Sequence, residues 1–185
     1  MITETFPALS RVFHWLMAAM ILTMLFVGIG MVASLSDYHW LVSIHKPLGI
    51  LILILAAIRL INRQINPPPP LPADLPVPIR TAAIGSHLLL YGLMFAVPLV
   101  GWAMLSAGDY PVVLYGAWVL PPIAPHSPTL FAVLRTTHTV LAMLFFAVIL
   151  AHIGAALLHR LVFRDGVFQS MATLHKVKPQ KEGTA

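Results

Sequence analysis

The chain has 185 residues, a length that fits one domain, 1–185. Hydrophobic residues make up 59% and charged residues only 9%, against about 25% charged in soluble domains. With a mean hydropathy of +0.89, this excludes an ordinary soluble domain and fits an integral membrane protein. The absence of cysteine excludes disulfides, thiolate clusters, CxxC redox pairs and covalent cofactor attachment through CxxCH. The net charge of +5 comes without a nucleic-acid motif, so no nucleic acid is expected as a partner.

Four apolar spans follow in chain order, and together they predict an all-α membrane four-helix bundle. The first covers about 12–33; it is longer than a signal-peptide core of about 7–15 residues and carries His14, so it reads as a retained helix. The second covers about 41–61. It ends before a proline-rich stretch, from Asn66 and Pro67 through Pro72 to Pro78, that predicts an extended connector. The third span, about 81–106, contains Pro98, which predicts a kink whose freed carbonyl neighbouring helices can satisfy. A loop over about 107–130 then carries Pro111, Pro121, Pro122, Pro125 and Pro128 with Tyr110, Tyr115 and Trp118. That composition predicts an interfacial lid. The fourth span covers about 134–163, and 164–185 form a basic tail.

The cations set an expected orientation. Arg11, Arg59, Arg63, Arg80, Arg160, Arg164, Lys176, Lys178 and Lys181 fall on one side, and only Lys46 and Arg135 on the other. The positive-inside rule places the nine-cation side, with both termini and the connector, in the cytoplasm.

Six histidines lie in the apolar stretches: His14, His45, His87, His138, His152 and His159. Ionisable groups in a membrane are costly and default to a functional reading. His138 and His152 are fourteen residues apart on one helix, nearly four turns. They therefore share a face and are separated by about 21 Å along the axis. His45 and His138 fall in the outer layer. His14, His87 and His152 fall in the inner layer, with His159 at its rim; depth alone leaves the inner pair open. Paired neutral imidazoles, with no thiolate and almost no membrane carboxylate, fit bis-histidine ligation of non-covalent haem b. A single membrane histidine more often makes a helix–helix hydrogen bond, but layered pairs on separate helices are harder to explain that way. His39, His126 and His175 read as bystanders in loops and tail.

Neighbouring residues support the same chemistry. Gly49, Gly101 and Gly154 would let a porphyrin approach the helices closely, although small residues also pack membrane helices. Lys46 follows His45, and Arg135 and Arg11 each precede a histidine, His138 and His14, by three positions. Desolvated haem propionates need such cations; ordinary interfacial anchoring is the bland alternative.

These residues resemble the bacterial cytochrome b561 family of four-helix dihaem membrane proteins. The resemblance rests on Arg11-Val12-Phe13-His14-Trp15-Leu16 and Ile44-His45-Lys46-Pro47-Leu48-Gly49 in the first two spans. In the third span it rests on Gly85-Ser86-His87-Leu88-Leu89-Leu90-Tyr91. In the fourth it rests on Thr137-His138, Ala151-His152-Ile153-Gly154-Ala155-Ala156 and His159-Arg160. The resemblance implies an inner haem on His14 and His152 and an outer haem on His45 and His138. It also implies electron transfer with ubiquinone in the bacterial inner membrane, superoxide being the donor in one branch. His87 and His159 are then left as candidates for a quinone site. Two rivals are a haem b subunit of a larger dehydrogenase or hydrogenase, and a non-redox, histidine-rich metal-binding membrane protein.

Overall fold

The computed structural model describes residues 5–70, 76–114, 116 and 118–172. Pro72, Tyr115, His175, Lys176, Lys178 and Lys181 lie outside the described residues. Four long helices follow one another: α1 (Ala8–Ala33), α2 (Tyr38–Ile65), α3 (Val77–Ala107) and α4 (Pro128–Leu158). A π turn, His159–Phe163, continues α4, and a short α5 (Val167–Ala172) follows. All four long helices are long and apolar enough to cross a membrane, the last counted through Phe163.

Every helix is longer than its apolar span. The extra turns come from residues that start helices but look like loop. Pro76 precedes α3 and Pro78 sits in its first turn. There a missing N–H costs nothing and the fixed φ is already helical. α4 begins at Pro128 because Ser127 caps it, its Oγ accepting the Leu130 N–H at 3.3 Å. α2 begins at Tyr38, so His39 lies in its first turn rather than in a loop.

The helices pack up-and-down. α1 lies against α2, α2 against α3, and α3 most extensively against α4. The α1–α4 and α2–α4 faces are not among the closely packed pairs. A mid-bundle layer of Met17, Ile21, Ile52, Ala56, Leu93, Met94 and Phe145 is buried. Outside it, large side chains such as Phe26, Ile54, Leu88, Met143 and Leu150 are exposed. An apolar exterior around a thin core is the expected arrangement where lipid is the solvent.

The loop between α3 and α4 is more ordered than its prolines predict. Val112–Val113 (β1) and Val119–Leu120 (β2) form a two-stranded antiparallel hairpin, Val112 opposite Leu120 and Val113 opposite Val119. It is tied to the bundle: Trp102 Nε1–H donates to the Pro121 carbonyl at 3.1 Å, and the Ile123 N–H donates to Ser106 Oγ at 3.1 Å. Val112 is buried. At the opposite, terminal end, the Phe6 N–H donates to the Ser170 carbonyl and Trp15 Nε1–H to that of Met171. The segment before α1 and α5 thus cover that end together.

Candidate functional site

At the hairpin end, His45 on α2 and His138 on α4 face each other with ring centroids 6.2 Å apart and planes at 75°. His138 Nδ1 is 3.1 Å from the Val97 carbonyl. A carbonyl only accepts, so the proton is on Nδ1 and the Nε2 lone pair is free. A metal-bound imidazole adopts this arrangement. α3 makes room for the ring where it is least bulky. A Cβ added to Gly101 would stand 3.0 Å from His138 Cε1, and Pro98 lies one turn before it inside α3. His45 Nδ1 is buried without a hydrogen-bond partner among the described residues. Lys46, Gly49 and Val112 complete a narrow cleft around the pair. Lys46 Nζ–H also reaches the Pro111 carbonyl at 3.4 Å, tying the hairpin to α2.

At the terminal end, His14 on α1 and His152 on α4 are 6.3 Å apart, with planes at 61°. His87 on α3 is closer to His152, at 5.6 Å. His87, expected in this layer but surplus to ligation, packs within it. Its Nδ1–H donates to the Ala83 carbonyl at 2.6 Å. His14 has the opposite tautomer. Arg59 Nη2 is 2.9 Å from His14 Nδ1, and a guanidinium only donates, so the proton of neutral His14 is on Nε2. The Arg59 and Arg63 guanidiniums stand 5.7 and 5.6 Å from the Tyr91 ring centre. Arg11 is 4% exposed.

Both cross-helix pairs have the spacing of two imidazoles on opposite sides of one metal. A metal–nitrogen bond of about 2 Å with the ring centre about 1.1 Å behind the nitrogen gives about 6.2 Å between centres. The pairs bridge α2 to α4 and α1 to α4, the two faces where helices are not closely packed. Donor type, spacing and the Gly101 recess fit haem. No group of three or more His, Asp and Glu arranged to hold a bare metal ion occurs among the described residues, which counts against the non-redox metal reading.

Other residues are placed differently from expectation. Arg135 does not line the cleft of His138; it sits in a separate exposed groove with Phe131, Thr136 and Thr139. A Cβ added to Gly154 would meet no protein atom within 4 Å, so no helix packs against that glycine. His159 is bound to a carboxylate, with Nδ1 2.5 Å from Asp165 Oδ2. The Val167 N–H donates to the other oxygen, Asp165 Oδ1, at 3.1 Å.

Sequence reasoning used Arg59 and Arg63 only for orientation and did not single out Tyr91 or Asp165. A signal existed for the arginines: they stand four apart on one helix, at the depth of His14. None existed for Asp165, because its approach to His159 needs the π turn and the left-handed Arg164, φ 50°.

Comparison with known proteins gives the same answer along the whole chain. A family model described as prokaryotic cytochrome b561 matches residues 5–174. Cytochrome b561 homolog 2 of Escherichia coli (strain K12) is 32% identical over 172 residues, covering 91% of each chain. The probable superoxide oxidase CybB of Yersinia pestis is 30% identical, covering 92% of this chain and 93% of its own. Cytochrome b561 homolog 1 of Escherichia coli (strain K12) is 28% identical over 88% of this chain and 94% of its own. The histidine-layered helical bundle thus belongs to the prokaryotic cytochrome b561 family, haem b proteins of the bacterial membrane that transfer electrons.

Proposed function

We propose that this single-domain protein holds two b haems and carries electrons across the bacterial inner membrane to ubiquinone. Their source is a donor at the hairpin end, superoxide being the favoured one. Both termini then face the cytoplasm, and the lipid tails meet the exposed apolar belt. The observation that carries the reading is the pair of imidazole layers, one at each end of α4, with rings 6.2 and 6.3 Å apart. In this reading His45 and His138 hold one haem, and His14 and His152 the other. Each haem supplies a site that gains and loses single electrons.

The protein's own groups position and tune that chemistry. The Val97 carbonyl fixes the tautomer and orientation of His138, a contact that raises ligand basicity. The hairpin limits access of water to the cleft. At that end Lys46 offers a positive charge to an anion, and Arg135 a second one nearby. Oxidation of two superoxide ions to dioxygen releases two electrons; with two protons they reduce one quinone to quinol. In this reading the hydrogen-bonded His159–Asp165 pair, beside Arg160 and Arg164, delivers those protons. His87 is the second quinone-site candidate, through its position against His152. A name at 30% identity supports the superoxide reading.

The test is a reduced-minus-oxidised spectrum with a haem-to-protein ratio on purified protein. Two low-spin b haems per chain are expected. A ratio near one would remove half of the proposal, and a large copurifying subunit would favour the dehydrogenase-subunit role instead.

A further inference from the structure

The terminal end holds two guanidiniums that are in no ion pair among the described residues. Arg59 and Arg63 are both half-buried on α2. They stand one helical turn apart, so their side chains lie on one face, and both lean over Tyr91 of α3. The only ion pair among the described residues is that of His159 with Asp165, so neither arginine is matched by a carboxylate there. A desolvated cation without a counter-anion is costly. The Tyr91 ring face recovers part of that cost.

Arg59 also conflicts with its neighbour. Its Nη2–H points at His14 Nδ1, 2.9 Å away, which forces the His14 proton onto Nε2. An imidazole bound to iron through Nε2 carries its proton on Nδ1. Two N–H donors would then face each other, and one has to leave. His14 is fixed by the α1 backbone, whereas Arg59 has a long, flexible stem. The partner that draws Arg59 away must be an anion able to accept a forked pair of hydrogen bonds, and the propionates of haem are carboxylates of that kind.

We propose that Arg59, with Arg63 and Tyr91, is a carboxylate clasp for the haem at the terminal end, and that Arg59 leaves His14 for a propionate when that haem binds. The proposal rests on the reading that His14 and His152 hold this haem. It places the main propionate contact on α2 rather than on Arg11, which the sequence offset had offered with interfacial anchoring as the equal alternative.

The experiment is spectroelectrochemical titration of purified protein, with haem-to-protein ratios, for Arg59→Gln, Arg59→Lys and Arg63→Gln. Removing a nearby positive charge favours the more oxidised, more positive iron. Arg59→Gln is expected to keep both haems and lower the potential of one. Arg63→Gln should shift the same haem by less, and Arg59→Lys should stay near the unmutated value. The potential of the haem removed by His45→Ala should not move. Loss of haem in Arg59→Gln but not in Arg59→Lys would also support the clasp. Two haems with unmoved potentials, or haem loss in both Arg59 variants, would overturn it. A single haem in the unmutated protein, abolished by His45→Ala, would overturn the two-haem reading and the clasp with it.

Discussion

The two ends of the bundle present paired histidines in different states of preparation. At the hairpin end His138 is held by the Val97 carbonyl with its Nε2 lone pair free, in a recess that Gly101 leaves open. At the terminal end three imidazoles crowd together, and Arg59 holds one of them in the opposite tautomer. In the proposed reading, the first layer would accept a ligand without rearrangement, and the second would exchange one polar partner for another. The difference has a physical origin: the hairpin end has few cations and is covered by a tied lid, whereas the terminal end sits among Arg11, Arg59 and Arg63. A membrane protein that concentrates positive charge on one side must manage that charge next to any site it builds there.

The largest effects should come from deleting the histidines themselves. His138→Ala or His45→Ala should leave one haem of two, and His152→Ala should remove the other. His87→Ala should keep both. If His87→Ala loses a haem while His14→Ala keeps two, the ligand at the terminal end is His87, consistent with its Nδ1–H already committed to the Ala83 carbonyl. Haem-to-protein ratios with reduced-minus-oxidised spectra decide each case.

Glycines offer a second way to separate the ends. In Gly101→Val, the new Cβ would stand 3.0 Å from His138 Cε1 and 3.2 Å from Nδ1, the atom held by the Val97 carbonyl. Haem affinity at the hairpin end is expected to fall about 10–100-fold, the range seen when the support of a ligand is lost. The haem at the terminal end should be unaffected. Gly154→Ala, with nothing within 4 Å, should change neither. Equal loss in both variants would make Gly101 an ordinary helix-packing glycine.

How far the sequence reveals this molecule depends on the kind of signal. The four spans are legible because apolar length is a local property, and the end on which each histidine lies is legible because the four helices alternate in direction; which of His14, His87 and His152 pair at the terminal end is not, and that pairing came from the family resemblance alone. Helix starts are less legible. Pro78 and Pro128 look like loop residues by type and act as first-turn residues by position. The lid was legible as a lid, but its hairpin was not, since two-residue strands carry almost no pattern. Side-chain direction was the least legible. Arg135 and His138 are three apart, yet the arginine turns to an exposed groove while the imidazole enters the bundle. The Arg59–His14 contact joins residues 45 apart and depends on how α2 is rotated against α1.

The terminal end can also be tested beyond haem binding. His159→Ala and Asp165→Asn should keep both haems and slow electron transfer from haem to quinone, by about tenfold if the pair delivers protons in the manner of a general acid. Stopped-flow oxidation of the reduced protein by a soluble quinone reads this directly. Asp165→Asn keeps one oxygen that can accept from the Val167 N–H at the start of α5 but removes the carboxylate charge beside His159, so a loss of thermal stability without a change in quinone rate would make the pair structural.

The smallest expected effect lies at the hairpin end and concerns the donor. Lys46 Nζ–H donates to a neutral carbonyl, that of Pro111, and Arg135 is exposed; neither is in an ion pair among the described residues. Two unneutralised cations near the His45–His138 pair attract a small anion, and salt shortens the reach of that field to about 8 Å at physiological ionic strength. If superoxide is the donor, haem reduction should slow as ionic strength rises. Lys46→Gln and Arg135→Gln should each slow it by about two- to fivefold at low salt and flatten the salt dependence. Full neutralisation of both cations by propionates predicts the opposite, a rate that ignores salt in the unmutated protein and in both variants. Absence of haem reduction by superoxide at low salt would exclude that donor, and the cations would then be read as docking contacts for a larger, acidic electron donor.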